Sequence, residues 1–158
     1  MDLRAISCAG ISVVVLIASL LSAPALFADP PQRPVSVDTN RRTFVLGDLV
    51  QIILDNRSGE KVFLPGCQSY QVERFGEQRY EALDGEHCIA EGDARGVAPG
   101  ETTLQFQTRP EHMDSPLRVV VVYGIGCAGE RPLSQARCRD FATIYSPSFR
   151  VREPVVEK

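Results

Sequence analysis

The sequence predicts an all-β domain, and three observations predict it. Short runs after residue 34 place apolar side chains at every second position, the period of a half-buried strand. Gly, Pro, Asn and Asp interrupt those runs at short intervals, where tight turns need their backbone freedom or their fixed φ. No stretch of that region carries the three-and-four spacing of an amphipathic helix.

Val35, Val37 and Thr39 alternate as a first, edge strand, and Asn40 to Arg42 turn the chain into Phe44 and Val45. Leu46-Gly47-Asp48 is a second turn. In the run that follows, Val50, Ile52 and Leu54 share the core face, Gln51 and Asp55 point outward, and Ile53 is the one exception. Asn56-Arg57-Ser58-Gly59 then turns the chain into Val62, Phe63 and Leu64, which Pro65-Gly66 ends. This pair is either a hairpin or a crossing between two sheets.

Further along, Tyr70 to Phe75 reads as a strand, Gly76 closes it, and Arg79 to Leu83 returns. Residues 84–96 are polar and read as irregular. Pro99-Gly100 leads into a strand with Leu104 and Phe106 inward and Gln105 and Gln107 outward. The run LRVVVVYGI from Leu117 to Ile125 is apolar and β-branched, which fits a central strand buried on both faces. Residues 126–146 form the one long connection, and Phe149 and Val151 face inward in the last strand.

These elements specify an antiparallel immunoglobulin-like β-sandwich of about seven to nine strands with two local disulfides; a small barrel is the alternative. The chain has no tryptophan and carries its cysteines in loops, so it lacks the core disulfide arrangement of an antibody domain. Its 158 residues suffice for one core. The sandwich spans residues 35–153, with a tail at 154–158.

The N-terminus has Arg4, then no charge from Ala5 to Ala28, an apolar run from Ile11 to Leu21, and small residues at Ala23, Ala25 and Ala28. That is the architecture of a signal peptide over residues 1–28. Cleavage after Ala25 satisfies the small-x-small rule through Ala23; cleavage after Ala28 leaves Leu26 three residues upstream. An uncleaved anchor is the alternative, since the uncharged span is long enough to cross a bilayer. Residues 29–34, DPPQRP, form a proline-rich leader.

Cys8 leaves with the signal, so Cys67, Cys88, Cys127 and Cys138 remain, an even number in an exported chain. Three pairings exist, and sequence separation favours Cys67 with Cys88 and Cys127 with Cys138. Export places the protein in a periplasm or outside the cell, with a membrane involved only if the signal is retained.

Candidate chemistry is sparse. The net charge of −3 comes from 17 basic and 20 acidic residues mixed along the chain, which leaves no footprint for nucleic acid. His87 abuts Cys88, but a bridged cysteine supplies no thiolate. Cys67, His87, Cys88, His112 and Met113 match no standard metal spacing, and Asp84, Glu86, Glu91 and Asp93 fit no calcium loop. No cofactor motif and no nucleophile elbow is present, and the reading is non-enzymatic. Asn56-Arg57-Ser58 matches a glycosylation acceptor in form, although its reading as a turn is sufficient.

The order FVLGDLVQIILDNRSG, FLPGC, YQVERF, a second cysteine, VAPGETTLQF and YSPSFRV resembles bacterial exported immunoglobulin-like domains. More distantly it is similar to the intracellular proteinase inhibitor family of bacilli, whose β-sandwich shares the N-S and P-G-E turns. The resemblance spans the mature chain and implies a fold, not an activity. The chain departs from the inhibitor family in its export signal and cysteines.

The expected role is therefore an exported module that binds an unknown protein or envelope component through residues 126–146, with Arg131, Leu133 and Arg137 as the contact residues. A loop ordered beforehand loses less entropy on binding. The alternative is a secreted protease inhibitor that inserts Arg131 or Leu133 into a protease cleft.

Overall fold

Alternation along three segments builds the first sheet. In the computed structural model, which describes residues 34–83, 92–128 and 131–155, β1 (Val35–Thr39) lies antiparallel to β3 (Leu49–Asn56), and β3 lies antiparallel to β8 (Gly100–Gln107). Val37 faces Leu54 across β1 and β3, and Ile52 faces Leu104 across β3 and β8, all four buried on one side. Gln51 and Gln105 are opposite one another on the exposed side.

The second sheet has six strands around β9 (Leu117–Ile125). One edge of β9 carries β10 (Asp140–Tyr145). The other edge is shared, its first half by β5 (Gln71–Phe75) and its last residues by β4 (Val62–Leu64). Beyond them lie β6 (Tyr80–Ala82) and β7 (Arg95–Val97). Leu117, Val119, Val121 and Tyr123 point to the buried side of β9.

A third, two-stranded sheet joins the two ends of the domain: β2 (Thr43–Val45) runs parallel to β11 (Arg150–Arg152). Phe44 packs edge-to-face on Phe149, with ring centroids 5.6 Å apart. The buried faces of all three sheets form one apolar cluster, whose largest members include Phe44, Phe149, Ile52, Leu54, Leu64 and Leu117. Full burial of each such side chain stabilises the fold by about 1.5–3 kcal/mol before the entropy of ordering is counted.

Asn56 settles the path from β3 to β4 as a crossing between sheets. Its side chain is 1% exposed, and its Nδ2 donates to the carbonyl of Glu60 at 2.9 Å and to that of Val97 at 3.3 Å. Its Oδ1 accepts from the Ser58 backbone at 3.1 Å and the Ser58 hydroxyl at 2.6 Å. The turn residue is thus also the bolt that fastens β3 to the end of β7. With Nδ2 committed inside, Asn56 is no surface glycan acceptor in the folded chain.

Four expectations are corrected. The described residues carry eleven strands, more than seven to nine, because several are three-residue pieces that pairing alone defines. The connection over residues 126–146 contains β10, whose outward Phe141, Thr143 and Tyr145 mask the alternation. One pair, β2 with β11, is parallel. Val122, in the run expected to be buried on both faces, is exposed because nothing described covers it there. Of the two disulfides, Cys127–Cys138 is present; Cys88 lies outside the described residues, as do the signal at 1–28, nearly all of the leader and His87.

Candidate functional site

β9 and β10 continue past the sheet as a hairpin, and a glycine lets the hairpin fold back on itself. Gly126 takes φ +63°, a conformation that L side chains rarely adopt, and reverses the strand direction locally. Ala128 then pairs with Arg137, its N–H donating to the Arg137 carbonyl at 3.1 Å, and the Cys127–Cys138 disulfide joins the two arms. A 3₁₀ turn, Leu133–Gln135, forms the return.

The tip is seated on the sheet at Gly124. A β-carbon on Gly124 would come 2.7 Å from the sulfur of Cys127, 2.7 Å from that of Cys138 and 3.2 Å from Leu133 Cδ1. Leu133 is 4% exposed. Two more ties hold the hairpin laterally: the Ala94 N–H donates to the Arg131 carbonyl at 3.1 Å, and Arg139 forms an ion pair with Glu60.

The residues expected to contact a partner therefore separate. Arg131 and Arg137 are exposed on the stapled hairpin, and neither makes an ion pair with another described residue. Leu133 points the other way. Its apolar side chain is more stable against Gly124 and the disulfide than in water, so it anchors the tip instead of being displayed, which corrects its expected role as an inserted or contact residue. The bulk of Leu next to two cysteines carried no sequence sign of that burial.

A cleft of about 810 Å³ lies at the open side of β8, between that strand, residues 66–70 and the 3₁₀ turn Pro110–His112. Cys67 is on its rim. Tyr70, Phe106 and His112 form an aromatic wall, with centroids 5.9 Å apart for the first pair and 5.3 Å for the second. The Tyr70 hydroxyl donates to the Gln105 carbonyl at 3.0 Å, which satisfies part of the edge of β8. The backbone N–H of Arg109 donates to His112 Nδ1 at 2.9 Å. Burial pushes the His112 pKa down, and Arg109 adds to that effect while Glu111 opposes it.

On the outer face of the six-stranded sheet, Arg118 is stacked between two tyrosines, its guanidinium carbon 3.9 Å from the Tyr80 centroid and 4.1 Å from that of Tyr145. Glu73 receives the guanidinium at 2.6 Å. Phe75, Val122 and Phe141 are exposed on the same face.

Among the described residues no cluster of three or more His, Cys, Asp or Glu side chains is placed to hold a metal ion, and no helix is long and apolar enough to cross a membrane. Comparison of the chain with protein families, with characterised proteins and with solved structures finds no match.

Proposed function

We propose that this chain is an exported, immunoglobulin-like β-sandwich that binds a protein or envelope component through the stapled hairpin beyond β9 and β10, with Arg131 and Arg137 as its contact residues and no catalytic role of its own. One observation carries the reading. The hairpin is ordered from beneath, by Leu133 and the disulfide on Gly124, while two guanidinium groups are left facing solvent. Ordering before contact lowers the entropic cost of binding, and guanidinium groups suit planar carboxylate or phosphate partners. The Cys127–Cys138 disulfide is consistent with the oxidising compartment that a signal peptide and an even cysteine count imply.

Site-specific photocrosslinking tests this. A benzophenone side chain at position 131 or 137 in the full chain, expressed with its own N-terminus, is expected to give a discrete adduct. The same group at position 57, on the β3–β4 crossing, is expected to give none. Loss of the position-131 adduct in Arg137→Glu supports the surface; equal adducts from all three positions, or none from 131 and 137, overturn it. Inhibition of an arginine-specific protease that disappears in Arg131→Ala replaces it with the inhibitor reading.

A further inference from the structure

His112 has an imidazole that the fold has half committed. The side chain is more than nine-tenths buried, with 7% of the residue exposed, and Nδ1 is held by the Arg109 N–H. An acceptor at Nδ1 fixes the neutral tautomer with its hydrogen on Nε2. That N–H has no hydrogen-bond partner among the described residues, yet no described buried side-chain nitrogen or oxygen is sealed away without a partner. His112 lines the cleft, and an Nε2–H turned towards it satisfies both statements. A directional donor therefore adjoins a cavity whose lining combines the apolar surfaces of Tyr70, Val72 and Phe106 with polar side chains such as Gln68, Thr103 and Gln105.

The charges around the cleft select what such a donor would meet. Among the described residues, Arg95 and Arg109 line it with one carboxylate, Glu111, and Arg95 makes no ion pair with another described residue. The volume of about 810 Å³ is in the range of small-molecule sites. We infer that this cleft binds a small amphipathic carboxylate, its apolar body against Phe106 and Tyr70 and its carboxylate accepting from His112 Nε2–H within the positive field of Arg95. An apolar neutral ligand leaves the His112 donor unpaired on complexation, and an ammonium ligand meets two like charges. The site is separate from the hairpin surface and stands whether or not that surface binds a partner.

Two probe pairs test the inference by amide chemical-shift titration of the oxidised full chain: phenylacetate against phenylacetamide, and octanoate against octanamide. Each carboxylate is expected to saturate shifts at Tyr70, Gln105, Phe106 and His112, with the matching amide at least about tenfold weaker, the scale of a hydrogen bond to a charged group. His112→Asn keeps an acceptor near Nδ1 for Arg109 and removes the donor at the Nε2 position, the shorter Asn amide reaching no farther than the ring Cδ2, so it is expected to weaken the carboxylates about tenfold while leaving the Arg109 amide resonance in place. Arg95→Gln tests the charge separately and remains decisive if His112→Asn unfolds the turn. Absence of saturable shifts, equal affinity for carboxylate and amide, or undiminished binding by Arg95→Gln overturns the inference.

Discussion

Gly124 lies directly beneath Cys127: a β-carbon on the glycine would come 2.7 Å from the cysteine sulfur, a distance at which something must move. The same is true of the Cys138 sulfur, so the strand surface and the disulfide are one packed unit. Glycine serves here for close approach and not for backbone angle, because the position is ordinary strand. Gly124→Ala is expected to destabilise the domain by about 1–3 kcal/mol in chemical denaturation. The cost is expected to shrink when Cys127 and Cys138 are both replaced by Ala, as the non-additivity of a double-mutant cycle would show.

Asn56 carries four hydrogen bonds at a buried crossing. Asn56→Ala leaves the Val97 carbonyl and the Ser58 groups without their partner, and each buried polar group so orphaned costs about 1–3 kcal/mol. Asn56→Asp is expected to be worse, since it removes the amide donor and sets a carboxylate against two carbonyl oxygens. Urea denaturation of the two variants checks the order.

Arg118 combines stacking on two rings with a carboxylate contact, a set that only a planar cation makes at once. Arg118→Lys retains the charge but is expected to lose about 1–2 kcal/mol. The ring-current shifts of Tyr80 and Tyr145 are expected to change with it, which one-dimensional proton spectra report.

His112 gives the domain an acid-sensitive term. Burial, the largest influence, holds its pKa below the ordinary histidine value of 6.5. The unfolded chain therefore binds a proton at a higher pH than the folded chain, and stability is full above pH 6.5 and falls as the pH drops through that value towards the lowered one. Protonation also turns Nδ1 into a donor facing the Arg109 N–H. Denaturation midpoints of the wild type and His112→Asn are expected to run parallel above pH 7 and to converge or cross below it, roughly where a free histidine titrates.

The core was legible wherever one face of a strand meets apolar neighbours and the other meets water. Val50, Ile52 and Leu54, then Leu104, and finally Phe149 and Val151 are read correctly from alternation because that condition holds. The Cys127–Cys138 bridge was legible from its short separation. β10 was not, because an edge strand with Phe141 and Tyr145 turned outward has apolar residues on both faces. Nor was the cleft: Tyr70, Phe106 and His112 come from three segments, and only the packing of those segments makes them one wall. Leu133 shows the same limit at the scale of a single residue.

The parallel pairing of β2 with β11 bears on how the chain reaches its structure. Thr43 is joined to Arg150 and Val45 to Arg152, and the Phe44 ring packs on Phe149. That contact waits until residues 149–152 have been made, so β2 has no ladder partner until the last described strand is present. Such long sequence separation slows closure. The pairing of β2 with β11 is therefore a late feature of the domain, whereas β1 and β3 have their partners in the chain long before it.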